Sequence, residues 1–541
     1  MMQIRERIII LGAGVMQGPA IRIAGELGFF TVAVDGSAEA PCRGLADRFE
    51  RIDLADREAV EDLARGMRGE GGLAGVMTAG TDFSTTVAWV AQRLGLPGIP
   101  HETALDATDK GRMRARFGAA GLPSPAFAVA TSPDLPTDQL PAPFPLVVKP
   151  VDSMGARGCR RVDGPDDLRA ALADALRFSR SGRAIVEAFM EGPEFSIDAI
   201  VRGEEITICG VADRHVFFPP FFIEMGHTMP TAASPRDLAA VLDAFRDGVR
   251  ALGIAAPGNV GAAKGDVKLT PAGPMLGEIA ARLSGGYMSG WTYPYSSGVE
   301  PIRAAILLAA GRNPGDLSPA ARRTSAERAF VSIPGTVRSV SGVAEARGIE
   351  GVRDVFLRVG EGSRVDFPEN NVSKCGNVIS AAADRASAVE SAEAAARAVL
   401  IRLDPADGRT ADFLRGAAEG RVFPPPAFAL GLRDLLEAIP ETRIVPGGKG
   451  PVRLAPFPAL TESGLTDYAD RGVAEALAAV RALTGMALPE TGPQGLAEPA
   501  GMCDNEGMFL GRSFWAAFAA GSYQGAVCYI DGLSGLPGGA G

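Results

Sequence analysis

Two lysines, Lys110 and Lys149, are followed along the chain by a loop of small residues, then by Glu187, Glu194, Asp266, Glu278 and Arg282. Lys149 ends the apolar run "PLVVK", and the "PVDSMGARG" that follows is too flexible to build a core. A lysine at a strand end delivers a cation, and a loop holding Ser153, Gly155 and Gly158 lets backbone N–H groups approach an anion. Acids on later strands suit a divalent cation or a sugar hydroxyl. These are the parts needed to hold a nucleoside triphosphate: cations and a supple donor loop on the phosphates, an acid for the ribose, a hinge for the base and carboxylates for magnesium. A P-loop is not available for the task, because G-x-x-x-x-G-K-[ST] does not occur in the chain.

Taken singly, each residue has a plainer role. Lys149 could lay its stem along apolar surface with its head in water, Glu187 and Glu194 could be solvated strand positions, and Asp266 could simply belong to a hairpin. Their joint order and spacing favour the nucleotide site.

The elements that must position these residues fall into distinct stretches. Residues 7 to 100 alternate strand and helix signals: "RIIILGAG", a helical run to Leu27, "FTVAVDG", a helical run after Asp56, "GVMTAG", and a helix from about Phe83 to Leu94. This is the rhythm of a parallel sheet with crossover helices, a Rossmann-like layer. Its first turn, Gly12, Gly14 and Gly18 with Asp35 ending the second strand, invites a dinucleotide reading, but the spacing exceeds G-x-G-x-x-G by one residue. A tight strand-to-helix turn is the simpler account. Thr81 and Asp82, after the third strand, stand where ligands gather in such sheets, and capping the following helix is the role favoured for them.

From 101 to about 320 the pattern changes. "DATDKGRMRARFGAAGLPSP" reads as one helix ending at Gly121. "EFSIDAIVRGEEITICGVAD" alternates as an antiparallel hairpin does, and Leu238, Val241, Leu242, Phe245, Val249 and Leu252 share one helical face. A second hairpin, "GNVGAAKGDVKL" to "PMLGEIAARL", carries Asp266 and Glu278 on neighbouring strands. Residues 328 to about 403 read as a small α+β lobe. Beyond it, "VFPPPAF" and "IVPGGKGP" suggest linkers around one helix, "DYADRGVAEALAAVRAL", and the last stretch is rich in glycine.

The set Lys110, "VVKPVDSMGARG", "VEAFMEGPEFS", Asp266 and "GEIAARLSGG" resembles the ATP-grasp superfamily, and the preceding Rossmann-like segment resembles its pre-ATP-grasp domain. The resemblance covers roughly residues 7 to 403. It implies an α/β and α+β protein of four parts: a pre-ATP-grasp domain (1–100), a two-lobed ATP-grasp nucleotide-binding domain (101–320), a C-terminal lobe (321–405) and an accessory region of unknown role (406–541). It makes Lys110 and Lys149 phosphate ligands and the 152–158 loop, with Ser153, Gly155 and Gly158, a lid. Glu187 and the backbone from Ala188 to Met190 would meet adenine, and Glu194 the ribose. Asp266 and Glu278 would hold magnesium, with manganese as a substitute, and Arg282 would steady the transferring phosphoryl group. Ala280 departs from the E-x-N-x-R pattern common in the family, since alanine cannot coordinate.

The stretch "FFPPFFIEMGHTMP" resembles the corresponding segment of L-amino-acid ligases, which implies that Glu224 assists the metal or an ammonium group and that His227 contacts the acyl phosphate or amine. A structural histidine is an equal alternative for His227. The implied activity is an ATP-dependent, ADP-forming ligation of a small-molecule carboxylate to an amine. Purine-pathway or carboxylase-like ATP-grasp chemistry, an NAD-dependent oxidoreductase and a non-catalytic ATP-binding protein stand as alternatives.

Bulk properties limit the remaining classes. With 541 residues and 46% hydrophobic content, several cores are available. A net charge of −10 argues against a general nucleic-acid binder, which needs a basic face. The six cysteines form no C-x-x-C pair, which suits a reducing compartment. Neither "RIIILGAG" nor "SFWAAFAAGSYQGAVCYI" reads as a signal sequence or membrane span, so the expected setting is the cytoplasm. Homodimers are common in the superfamily, so self-association is the one macromolecular partnership expected.

Overall fold

The computed structural model describes residues 5–69, 72–418, 422–428, 432–444, 452–489 and 507–534. The chain divides into two compact units, Met1–Glu327 with Ile379–Val389, and Arg328–Val378 with Glu390–Gly541.

The first unit begins with the expected parallel layer: β1 (Arg7–Leu11), α1 (Gly18–Glu26), β2 (Phe30–Asp35), β3 (Arg48–Arg51), α2 (Arg57–Gly69), β4 (Leu73–Thr78) and α3 (Ser84–Leu94). The sheet order is β3-β2-β1-β4, all parallel. Ile8 and Ile10 pack on one side with Ile21 and Phe29, while Ile9 and Leu11 pack on the other with Val60 and Val90. Burial on both faces explains why "IIIL" is unbroken by polar residues. The edge strand β3, "RFER", escapes sequence reading because charges alternate with one phenylalanine, as suits an exposed edge.

The glycine turn after β1 is filled from within. Gly12 has φ +97°, and a Cβ there would lie 2.9 Å from the Gln17 side chain. Gln17 accepts from Gly14 N at 3.1 Å and donates to Ala79 O at 2.5 Å, while Asp35 accepts from Ala13 N at 2.8 Å.

Next come α4 (His101–Thr108), α5 (Lys110–Ala119), β5 (Phe127–Ala130), β6 (Leu146–Pro150), β7 (Arg160–Val162), α6 (Pro165–Phe178) and β8 (Ala184–Ala188). The single helix expected across this stretch is two. Asp109, extended at φ −82° and ψ 112°, caps α5 by accepting from Arg112 N at 3.0 Å, which sets Lys110 in the first turn. The strands form an antiparallel sheet, β5-β8-β6-β7.

The two expected hairpins are β9 (Glu194–Arg202) with β10 (Glu205–Phe217), and β12 (Val260–Thr270) with β13 (Gly273–Ala280). With β11 (Ile223–Met229) they run in the order β13-β12-β9-β10-β11. Helix α7 (Pro235–Ala251) covers one face, with Phe245 and Val249 against Ile197, Val267, Leu276 and Ile279. Each such side chain contributes roughly 1.5–3 kcal/mol by leaving water. The opposite face is polar where it bears Glu194, Asp198 and Asp266, and apolar at Ile200 and Ala262.

In the second unit, strands Gly335–Ser341, Arg364–Val365 and Leu400–Leu403 form one small sheet. Helix Arg512–Ser534 packs with helix Val473–Thr484 in a core that includes Phe514, Trp515 and Phe518, and Trp515 Nε1 donates to Ala455 O at 2.8 Å. The long helix breaks at Gly521 and Ser522, where Ser522 Oγ donates to Asp467 at 2.6 Å. Asp467 also accepts from Ala469 N and Arg471 N, which holds that stretch in a loop and delays the expected helix to Val473. The linker expected at "IVPGGKGP" lies, apart from Ile444, outside the described residues. Among the described residues no helix is long and apolar enough to cross a membrane.

Candidate active site

The polar face of the large sheet is set by register. Asp266 lies opposite Glu278 and Lys264 opposite Ala280, while on its other side β12 places Lys264, Asp266 and Lys268 against Asp198, Ser196 and Glu194 of β9. Glu194 in turn faces Arg214 of β10. Side chains two residues apart share a face, so one row of alternating positions carries the whole set. A bulge at Gly277 keeps the acids in register, because Asp266 pairs with Glu278 and Val267 with Leu276. A Cβ at Gly277 would lie 2.9 Å from the Asp266 carbonyl oxygen, so the bulge requires glycine.

Lys110 Nζ, buried in the first turn of α5, donates to Ser153 O at 3.0 Å and lies 3.6 Å from Glu278 Oε1. Burial alone would push its pKa down, but the charges of Glu278, Asp82 and Glu187 raise it above the ordinary lysine value. Lys149 Nζ lies 2.7 Å from Glu187 Oε2, and Glu187 Oε1 accepts from Arg114 Nε at 2.9 Å. Burial would push the Glu187 carboxyl up, yet Arg114 and Lys149 hold it below the ordinary range. Arg114 also donates to Gly277 O at 2.5 Å, tying α5 to the bulge. Between β6 and β7, Gly155 and Gly158 have φ +69° and +66°. A Cβ at Gly158 would meet the Phe178 ring at 2.9 Å.

Asp266 is nearly saturated: Oδ1 accepts from Ser196 Oγ at 2.7 Å, and Oδ2 takes Lys264 Nζ and lies 3.3 Å from an Arg214 nitrogen. Against the burial that would raise it, Arg214 and Lys264 hold its pKa well below the ordinary range. Lys110, Lys264 and Lys149 likewise overcome burial at Glu278 and bring it to about 2. Arg214 also binds Glu194 and donates to Glu224 at 3.0 Å. Lys268 reaches Met190 O at 3.2 Å and lies 3.7 Å from Glu194, joining the Ala188–Met190 backbone to the same row. Ala188 N itself donates to Ala126 O at 2.9 Å.

Glu224 and His227 share a face because β11 carries a second bulge: Glu224 pairs with Val216, Gly226 with His215 and His227 with Arg214. Glu224 Oε2 lies 3.6 Å from His227 Nε2, and His227 Nδ1 donates to Glu327 Oε2, 2.8 Å away on strand Thr324–Phe330. Arg282 donates to Leu283 O at 3.1 Å, and its buried Nε has no protein partner among the described residues. A single bridge from Ala79 to Leu283 brings the loop after β4 to Arg282. The helix cap expected of Thr81 or Asp82 is not formed: the N-cap is Phe83, without a side-chain bond, while the charge of Asp82 acts on Lys110.

Sequence reading passed over Arg114, Asp198, Arg214, Lys264 and Glu327. Arg114 had a usable signal, four residues after Lys110 on one helical face. So did Lys264, two residues before Asp266. The pairing of Glu327 with His227 depends on strand order, which no local pattern encodes.

Comparison with known proteins fits this geometry. Residues 142–288 match the family model "ATP-grasp domain", and residues 328–404 match "L-amino acid ligase C-terminal domain 2". An uncharacterized protein, y4rH of Sinorhizobium fredii, is 26% identical over 63% of this chain and 71% of its own length. Carnosine synthase 1 of Gallus gallus is 27% identical over 57% of this chain but only 35% of its own length, so the chain spans about a third of that relative. Among solved structures, the L-amino acid ligase from Bacillus licheniformis aligns with a TM-score of 0.63 and 22% identity over 74% of this chain and 99% of that one. These two matches place the chain among the ATP-grasp ligases, with an ATP-grasp domain that spans Lys149, Glu187, Asp266 and Glu278 followed by an L-amino acid ligase C-terminal domain.

Proposed function

We propose that the protein activates the carboxylate of one small molecule, an amino acid, with ATP and joins it to the amine of a second. The observation that carries this reading is the convergence of Lys110, Lys149, Asp266 and Glu278, distant in sequence, on one site. A carboxylate is a poor electrophile. Attack of its oxygen on the γ-phosphorus releases ADP and leaves an acyl phosphate; the amine nitrogen then attacks the carbonyl carbon, loses a proton and expels phosphate.

Lys110 and Lys149 would neutralise the phosphates, the 152–158 loop would close over them and exclude water, and Arg282 would meet the oxygens of the transferring group. Glu187 and the Ala188–Met190 backbone would border the adenine and Glu194 the ribose. Asp266 and Glu278 fit a magnesium ion by donor type, being hard oxygen ligands kept ionised by their neighbours, and magnesium is commonly held by one or two carboxylates together with phosphate oxygens. Bound there, the ion would offset charge on the phosphates. Glu224 and His227 would border the amine or the acyl phosphate.

Gln17 argues against the dinucleotide alternative, since its side chain fills the turn that a pyrophosphate would enter. Ala280 favours a non-catalytic ATP binder as the second reading. The test is incubation of the purified chain with ATP, magnesium and paired amino acids, with ADP measured by a coupled assay and products by mass spectrometry. Dipeptide with equimolar ADP, and hydroxamate when hydroxylamine replaces the amine, is the expected result. ATP binding with no ADP formed across a broad acid and amine panel would establish the second reading instead.

A further inference from the structure

The row of charges at Asp266 holds three cations besides the two assigned to the phosphates: Lys264, Lys268 and Arg214. Lys264 stands two residues before Asp266, on the same face, and its ammonium nitrogen binds Asp266 Oδ2 directly. Its cross-strand partner is Ala280, the site at which the family pattern places a coordinating asparagine. A missing neutral ligand and an added fixed cation therefore face each other across one rung of the β12–β13 ladder. Asp266 Oδ1 is taken by the Ser196 hydroxyl at 2.7 Å, so little of this carboxylate remains open. Glu278 differs, since its Oε1 meets Lys110 at 3.6 Å, beyond hydrogen-bond reach. The charge of Lys264 also acts on Glu278 and Asp198, which places the ammonium among the acids and not out in solvent.

We infer that the Lys264 ammonium takes the place of one divalent cation, so that the site holds a single metal ion with the nucleotide, anchored chiefly by Glu278. The inference rests on the ATP-site reading above and deepens it. A second dication beside Asp266 would have to displace an ammonium that is already paired, and would find a methyl group where a carbonyl ligand is needed. A tethered ammonium has the opposite advantage. It is present before the nucleotide arrives, with its hydration already exchanged for the Asp266 carboxylate on folding.

The experiment counts metal ions without turnover. Mn2+ is titrated into the full-length protein saturated with a β,γ-imido analogue of ATP, and free Mn2+ is read from its electron paramagnetic resonance signal. The wild-type chain should bind one Mn2+ per bound nucleotide. Lys264→Ala combined with Ala280→Asn should bind two, the second at least ten-fold more tightly than any second ion on the wild type. Two ions per nucleotide on the wild type would overturn the inference while leaving the nucleotide site standing, and a count that stays at one in a folded double variant would also overturn it. Absence of nucleotide binding in the wild type would overturn both readings. The wild-type count decides the matter even if the double variant fails to fold.

Discussion

Lys149 and Glu187 meet at 2.7 Å although they are not opposite one another in the ladder: Glu187 faces Val147, and Lys149 faces Ile185. The contact is a diagonal across β6 and β8, and Arg114 approaches the same carboxylate from α5. Glu187 is thus a hub holding one lysine ready beside the phosphate loop and one arginine against the Gly277 bulge.

Lys149→Ala should weaken ADP binding at least about ten-fold, since one of two phosphate cations is lost. Glu187 is left buried with Arg114 as its charged partner, so the melting temperature should fall as well, but by less than in Arg114→Met, which also loses the donor to Gly277 O. Calorimetric titration with ADP beside a thermal melt checks both, and unchanged affinity would refute the assignment of Lys149 to phosphate.

Arg114→Met acts chiefly on stability. It leaves Glu187 buried with one partner and removes the donor to Gly277 O. Breaking a buried pair in this way costs about 3 kcal/mol. Urea denaturation should show it as a lower midpoint.

Asp198 predicts a pH effect. Burial pushes its carboxyl up to about 6 from 3.8, against the hydrogen bonds from Ser284 and the charges of Lys264 and Arg282. A folded-state value above the unfolded one means the folded chain binds the proton more tightly. This contribution to stability is therefore fully present below pH 3.8 and is lost as pH rises through 6. The lost amount is up to ~3 kcal/mol over about two pH units. Asp198→Asn cannot titrate and can still accept from Ser284 N. Urea midpoints of the two proteins should diverge in favour of the variant between pH 4 and 6, and parallel curves would count against the shift.

Glu327→Gln should slow ligation at least about ten-fold while leaving ATP affinity unchanged, because a neutral amide holds the imidazole less firmly in its tautomer. Initial rates and nucleotide titration separate the two effects. Equal loss in both would mark Glu327 as structural support for the whole site.

Much of the fold was legible because its signals are local. Continuous apolar runs marked the parallel strands, alternation marked the hairpin of β9 and β10, and the 3.6-residue period placed the buried face of α7. The Lys149 strand and its loop were readable for the same reason. Illegible features depended on pairing. Nothing in "RFER" announces an edge strand, and "ATDKGR" does not reveal that Asp109 ends one helix by capping the next. Glu224 and His227 fall on one face only through the extra residue in β11, and Arg214 meets Glu194, Glu224 and Asp266 only once β9 and β11 are laid beside β10 and β12 beyond β9. Spacing along a chain records neighbours within an element. It does not record which strand lies next.

The Gln17 plug has a bearing on how fingerprints are interpreted. A turn stripped of side chains testifies that some other group approaches the backbone closely, but the visitor can be part of the chain itself. Here a carboxamide lodges in the hollow and bridges two strand ends, so the glycines serve as a socket for an internal bolt.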